Sequence, residues 1–399
     1  MKITIFSDCH CGYDYGEERG EDPFLAFQEA MERSLDSDLI LIAGDIFDSR
    51  VPKQEVLARA AKILSVAQNS PSQAKLVDVA GKDRNEVSPS ALRGIPVVAI
   101  HGTHERRSRF MINPVQAMEH AGLLLHLHGS TALFDINGKK VAVHGMSGVP
   151  ERFAGDCLKQ WSPKPVPGAC NILMLHQSVD PYVYSPLEPP SIRMEDLPAG
   201  FDLYVLGHMH WHDMRNFKSG TLLLTGSTVT TSVHKAESEQ GKGMFTFNGT
   251  YLEFVPLASQ RKVVCEQFLY SPEIRRQVEQ KIIDVISQQH KMKPIIGIKI
   301  KGRLPPETAV PNFSDLEQKY GDRAIIKINQ ELKQSEFEKN MELLKTLRER
   351  GLSPEEQGLR ILQDNLDQVK CGLNAHDMFD LLADGRIDEI MNMLFGGNK

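Results

Sequence analysis

The chain has 399 residues, 41% of them apolar and 25% charged, with a net charge of −6; that is the composition of an ordinary soluble globular protein, with length for two or three domains. No apolar run approaches the roughly 18 residues of a membrane span, and no signal-peptide pattern precedes the first strand, so the sequence predicts an intracellular, cytoplasmic protein without a membrane segment. The acidity is uneven: residues 331–399 carry 9 Lys/Arg against 14 Asp/Glu, which leaves the remainder close enough to neutral for a local basic patch to bind phosphates.

Along the first 260 residues, short apolar runs alternate with turns and helical stretches. Strands are predicted at Ile3–Ser7, Leu39–Ala43, Val97–Ile100, Lys140–His144, Ile172–Leu175 and Leu203–Leu206. Several are continuous apolar runs, as expected for strands covered on both faces. Helices are predicted at Pro23–Leu35 and Lys53–Ala67, and closing strands near Thr221–Leu224, Met244–Phe247 and Tyr251–Phe254. The pattern is that of an α/β layered fold. Near Ser259 the texture changes to a charged helix (Glu273–Gln289), a strand (Ile295–Lys301), a helix (Ser314–Tyr320) and a strand (Ala324–Asn329), a small α+β unit. From Ser335 onward the chain reads as charged helices. The six cysteines are scattered without C-x-x-C spacing and read as reduced thiols.

The chemistry-bearing residues stand where the strands end. The first strand ends in Asp8-Cys9-His10, the second in Gly44-Asp45, and the third in Gly102-Thr103-His104-Glu105. The strand from Ile172 ends in His176, and that from Leu203 in Gly207-His208-Met209-His210. Any one of these has an ordinary explanation as a capping or surface pair. Five such endings in one α/β register have no shared structural reason, because buried His and Asp would need partners. Ligands collect at the carboxyl ends of strands in open α/β sheets. Mixed oxygen and nitrogen donors suit manganese, iron or zinc better than calcium. A shared carboxylate can hold two ions about 3.5–4 Å apart, one lowering the pKa of a bound water and both neutralising phosphate charge.

The order D-x-H, G-D-x-x-D, G-x-H-E, a strand-end His and G-H-x-H resembles the calcineurin-like metallophosphoesterase superfamily. Met174-Leu175-His176-Gln177, Gly226-Ser227-Thr228, Gly241-Lys242-Gly243 and Asp45-Ile46-Phe47-Asp48 with Arg50 and Pro52 resemble, within it, the DNA double-strand-break repair nucleases of the Mre11/SbcD type. The resemblance implies a layered metallophosphoesterase sandwich over residues 1–258, a capping domain for DNA access over 259–331, and a helical tail over 332–399. It implies two divalent ions, manganese by family habit: Asp8, His10, Asp45 and His210 on the first, and Asp45, His176 and His208 on the second. His104 would stabilise the transition state. Thr103 departs from the family's asparagine and would be a weaker, neutral ligand. Asp48 stands where some members carry histidine, so that auxiliary role is not carried over. Arg106, Arg107 and Arg109 can clamp a DNA backbone or form a solvated turn. His212 is expected at the surface, and His120, His126, His128 and His144 are expected to be structural.

The implied activity is a manganese-dependent nuclease, exonuclease on duplex ends and endonuclease on single strands, in a homodimer with an ABC-type coiled-coil ATPase. Two alternatives share the core: a phosphodiesterase or phosphatase for other substrates, and a DNA-tethering scaffold with a metal site weakened at Thr103. In the tail, Leu359, Leu362, Leu366 and Val369 recur at helical spacing, and Asn374 can cap a further helix carrying Phe379. Beyond it Ile387, Ile390, Met391, Leu394 and Phe395 form one apolar stripe. So short a hairpin is expected to leave its stripe unburied, and the stripe is assigned to the ATPase.

Overall fold

The computed structural model describes residues 1–108, 110–184, 192–233, 240–305, 308–334, 354–368, 374–383, 386 and 389–391. Two sheets form the body of the chain. The first has six strands in the order Leu252–Pro256, Gly243–Phe247, Ile3–Phe6, Leu39–Ala43, Val97–Ile100 and Leu125–His126. The second has seven: His212–Phe217, Gly220–Thr225, Leu203–Gly207, Cys170–His176, Lys139–Met146, Ser130–Ile136 and Ala74–Ala80.

The continuous apolar runs are explained by what lies on each face. Alternate residues of a strand point to opposite sides. Ile3, Ile5, Leu41, Val98 and Ile100 from the first sheet share one buried cluster with Val143, Ile172, Met174, Val205 and Leu223 from the second. The opposite faces are covered by helices. Phe6, Ile40, Ile42 and Val97 pack with Phe24, Phe27 and Met31 of helix Asp22–Arg33 and Val56, Ala60 and Ile63 of helix Gln54–Leu64. Leu173, Leu175, Tyr204 and Leu222 pack with Ala154 and Leu158 of helix Glu151–Trp161. The order is therefore helix, sheet, sheet, helix, and the expected layered α/β sandwich is what the chain forms.

The parallel registers place the functional strand ends at one edge. Ile3 pairs with Leu39 and Phe6 with Ile42, while Ala43 pairs with Ile100. In the second sheet Gly207 pairs with His176. The predicted strands all appear, most of them a residue or more longer. Absent from the prediction are, among others, the strands Ala74–Ala80, Ser130–Ile136, His212–Phe217 and Val263–Leu269 and the helices Pro114–His120 and Glu151–Trp161.

The chain divides into two compact units, the first comprising Met1–Glu266, Lys281–Gly297 and Glu317–Lys327, the second Gln267–Gln280, Ile298–Leu316 and Ile328–Lys399. Strands Val263–Leu269, Ile295–Leu304 and Ile325–Gln334 form a three-stranded sheet in that order. In the tail, helices Pro354–Gln368 and Ala375–Ala383 enclose a small core of Leu366, Ala375, Met378 and Ile390. That corrects the expectation of a wholly open stripe: helix pairing lets even this short hairpin bury Leu366 and Ile390. Leu362 and Phe379 are half-buried and Met391 is exposed. Val369, Ile387, Leu394 and Phe395 lie outside the described residues.

Candidate metal centre

Five strand ends converge, and the backbone at the convergence is strained. Asp8, His10, Asp45 and His208 all adopt positive φ, at 53°, 49°, 49° and 87°. Such conformations cost roughly 1–3 kcal/mol each and persist where the surroundings fix them. Here the fixing is mutual: the Asp8 N–H donates to the Gly44 carbonyl at 2.9 Å, and the His10 N–H donates to the Asp45 carbonyl at 3.0 Å. Two glycines are required by close approach. A Cβ on Gly44 would stand 2.3 Å from Nδ1 of His176, and one on Gly102 would stand 2.2 Å from Oδ1 of Asp45.

The donor atoms form overlapping groups. Asp8, His10 and His210 offer atoms within 4.8 Å of one another, as do Asp45, His176 and His208, and also His10, Asp45 and His104. Each of three histidines has its Nδ1 occupied from outside the centre, which fixes the ring and leaves Nε2 facing in. His10 Nδ1 lies 2.9 Å from Asp48 Oδ1. His176 Nδ1 donates to the Ala43 carbonyl at 2.7 Å. His210 Nδ1 lies 3.0 Å from Thr231 Oγ1. The Nε2 atoms of His10 and His210 then face each other at 3.0 Å, and His176 Nε2 lies 3.1 Å from Asp45 Oδ2.

Asp8 carries the clearest sign of a cation site. Its Oδ2 accepts from Ser7 Oγ and from the His208 N–H at 3.1 Å. Its Oδ1 is buried without a hydrogen-bond partner, 3.9, 3.8 and 4.0 Å from Nε2 of His10, His210 and His176. A buried carboxylate oxygen facing imidazole nitrogens fits a divalent ion, which would satisfy Asp8 together with His10 and His210, the three that form one donor group.

The electrostatics agree. Burial alone would raise the Asp45 carboxyl, but His176, with His10 and His104 behind it, holds it well below the carboxylate range. Burial alone would lower His176, yet Asp45 and Asp8 push it up to about 10. Burial, reinforced by His176, pulls His208 down to about 3, which keeps it neutral and able to ligate. The cluster therefore draws positive charge to its middle.

Thr103 Oγ1 is 3.4 Å from Asp45 Oδ2, and the His104 N–H donates to Asp45 Oδ1 at 3.0 Å. The His104 side chain is 46% exposed and stands edge-on to His10, with rings 4.9 Å apart. Its Nδ1 is 3.2 Å from the Asp48 carbonyl and 3.5 Å from Asp48 Oδ1. Thr103, His104, Asp48, Ser49, Arg50, Val51 and Arg106 line an open cavity of about 550 Å³. Arg107 donates to the Ile112 carbonyl at 3.3 Å within the same loop. Arg109 lies outside the described residues.

A family model of calcineurin-like phosphoesterases matches residues 1–212, more than half of the chain. The chain belongs to the calcineurin-like phosphoesterases. The DNA double-strand break repair protein Mre11 of Thermoplasma acidophilum is 27% identical over 344 residues, 81% of this chain and 82% of that protein. The protein of the same name from Methanopyrus kandleri is 28% identical over 227 residues, 53% of this chain but 44% of that one. The crystal structure of TT1561 of Thermus thermophilus is 12% identical, covering 64% of this chain and 98% of that one, with a TM-score of 0.37. The resemblance to the double-strand-break repair nucleases is borne out by the Thermoplasma and Methanopyrus relatives. As a calcineurin-like phosphoesterase, the chain is an enzyme that works with divalent metal ions.

Several residues that build the phosphoesterase site were quoted in motifs without a role. Glu105 is fully buried and accepts the Phe47 and Gly102 N–H groups, each at 2.8 Å, tying two ligand-bearing loops together. Lys242 is buried and donates to the His210 carbonyl at 2.6 Å and to Ser227 Oγ at 2.8 Å, so the G-K-G turn holds the G-H-x-H loop. Tyr184, which no motif contains, donates to the His208 carbonyl at 2.7 Å. His212 is not a surface residue: it is half-buried and stacked on Phe254 with centroids 4.3 Å apart. The carboxylate of Asp48 supports His10, a role that transfer by analogy with histidine could not supply.

Proposed function

We propose that this phosphoesterase is a manganese-dependent DNA nuclease, cutting duplex ends as an exonuclease and single strands as an endonuclease in double-strand-break repair. The observation that carries this reading is the three overlapping donor groups linked through His10 and Asp45, with two arginines on the cavity beside them. Asp8, His10, Asp45 and His210 would hold one ion, and Asp45, His176 and His208 a second, with Thr103 as its weak neutral neighbour. Bound ions supply Lewis acidity that generates a nucleophile from water near neutral pH and neutralises charge on the phosphate. Asp45 would contribute to both sites, its two carboxylate oxygens lying toward His176 and His104. His104, anchored through Nδ1 to Asp48, presents its remaining nitrogen to the cavity, where it can bond a phosphoryl oxygen or protonate the leaving oxygen; such help is worth roughly 10²–10⁴-fold. Arg50 and Arg106 flank that path and can bind backbone phosphates without sequence preference.

The remaining parts follow the same reading. Residues 1–258 form the nuclease domain, 259–331 the cap that governs DNA access, and 332–399 the tail that grips an ABC-type coiled-coil ATPase through residues such as Phe379 and Met391. The protein works as an intracellular homodimer. Purified protein tests the central reading on linear and circular DNA with manganese, magnesium or chelator, beside His104→Ala. Manganese-dependent cleavage that chelator stops and His104→Ala loses is expected. Hydrolysis of small phosphate esters with no cutting of DNA would move the assignment to another phosphoesterase substrate.

A further inference from the structure

The loop from Glu105 to Asn113 is anchored at both feet. Glu105 ties the first foot to Phe47 and Gly102. At the second, Asn113 and Gln116 form a reciprocal capping box, at 2.8 and 3.0 Å, that starts helix Pro114–His120. Asn113 Nδ2 also lies 3.3 Å from buried His101. Between the feet the Met111 N–H donates to the Ser108 carbonyl at 2.9 Å, and the Arg107 guanidinium bonds the Ile112 carbonyl and lies 3.3 Å from Met111 Sδ. These bonds fix described residues of the loop, yet three consecutive large apolar side chains are exposed there: Phe110 93%, Met111 54% and Ile112 53%. Scattered exposed apolar residues need no explanation, but a run of three at an anchored tip does.

We propose that Phe110, Met111 and Ile112 form a wedge that enters the base stack at a DNA duplex end and parts the terminal pairs, so that one strand reaches the metal centre. This rests on the DNA-nuclease reading above. Phe, Met and Ile are side chains that unstack base steps when positive groups hold the backbone beside them, and Arg106 and Arg107 stand in the same loop. The need for a wedge follows from the site. Asp8, His10, Asp45 and His176 are at most 1% exposed, so a phosphodiester inside a stacked duplex must be drawn out to meet them. A second copy of the chain is the competing occupant. A twofold contact through the tip would bring each copy's Arg106 and Arg107 toward their equivalents, and that like-charge approach disfavours it.

The test uses the full chain with manganese and compares a blunt duplex, a duplex opened by terminal mismatches, and a single strand. The serine triple variant Phe110→Ser, Met111→Ser, Ile112→Ser should lose about tenfold or more on the blunt duplex and stay within about twofold on the other two. Phe110→Trp should keep blunt-end cutting, and a terminal 2-aminopurine should brighten before cleavage with the unaltered protein but not with the triple variant. Unchanged blunt-end cutting by the triple variant, or an equal loss on all three substrates, would overturn the wedge. So would conversion of a dimer to a monomer in sedimentation, which would make the tip a contact between copies. If the unaltered protein hydrolyses bis(p-nitrophenyl) phosphate but cuts no DNA, the nuclease reading fails first and the wedge with it.

Discussion

Asp48 Oδ1 stands 2.9 Å from Nδ1 of His10, so a carboxylate behind the ring decides which imidazole nitrogen faces the metal centre. Carboxylates in this position raise ligand basicity, and their loss typically lowers metal affinity 10–100-fold. Asp48→Asn should therefore weaken binding of the first ion by about that factor, read by calorimetric metal titration. It should also reduce cleavage at limiting manganese and recover at excess. An unchanged affinity would mean that packing alone orients His10.

Asp45→Asn should be the most damaging ligand substitution. The carboxylate stands 3.1 Å from His176 Nε2 and also accepts the His104 N–H. An amide removes the charge shared by both donor groups, so cleavage should fall by about 10²–10³-fold or more. The metal-induced rise in Tm should disappear as well. Substantial residual activity would separate the two groups and end the shared-ligand assignment.

Thr103→Asn should tighten the weaker of two ions. The threonine hydroxyl sits 3.4 Å from Asp45 Oδ2, at the edge of bonding distance. A longer side chain ending in an amide oxygen can reach further into the group. Metal titration should resolve one tight and one weak site in the unaltered protein and two closer affinities in the variant. Equal occupancy of both sites at low manganese in the unaltered protein would contradict this.

Acid should destabilise the fold through His101 and His126. His101 Nδ1 and His126 Nε2 are 2.9 Å apart, with Lys82, Glu119 and His120 nearby; Lys82 pairs with Glu119 at 2.7 Å. Burial, with the neighbouring cationic groups, pulls His101 down to about 3 and His126 well below its usual value; burial lowers His128. The unfolded chain takes up protons below about 6.5 while the folded chain does not, so stability is full above that pH and lost as pH falls toward the folded values. The slope is about 1.4 kcal/mol per pH unit for each buried histidine, or roughly 2–3 kcal/mol between pH 7.5 and 5.5 for His101 and His126. Urea titrations at the two pH values measure it, and His126→Gln should flatten the dependence by about a half. A flat profile would show these rings to be protonated in the fold.

Removing residues 355–399 should leave manganese-dependent cleavage of simple substrates intact and abolish co-purification with the coiled-coil ATPase. Because Ile390 is buried in the tail's own core, Ile390→Asp would unfold the hairpin as well as remove a contact. Met391→Asp, at a position 50% exposed, is the cleaner probe and should weaken the partner without lowering helicity. Full ATPase binding by the truncated chain would place the contact elsewhere.

The strands and the converging His and Asp residues were legible because burial on both faces writes continuous apolar runs, and because polar residues ending such runs need a reason. Strand Ser130–Ile136 was missed although it alternates buried and half-buried residues; its Ser, Thr and Asp diluted the signal. Helix Pro114–His120 is short, yet Asn113-Pro114-Val115-Gln116 spells a capping box and could have been found. The roles of Glu105, Lys242 and Asp48 were not legible. They depend on backbone groups and rings that meet only after the sheets assemble.

The donors come from both layers of the sandwich: Asp8, His10 and Asp45 follow strands of the first sheet, and His176, His208 and His210 belong to the second. Ions held by donors of both sheets would rivet one sheet to the other at a single edge. Sliding of the layers, which packing resists only softly, would pull such a rivet apart. Loading the ions should therefore stiffen that edge, and hydrogen exchange in the paired strands Cys170–His176 and Leu203–Gly207 should slow as loading proceeds.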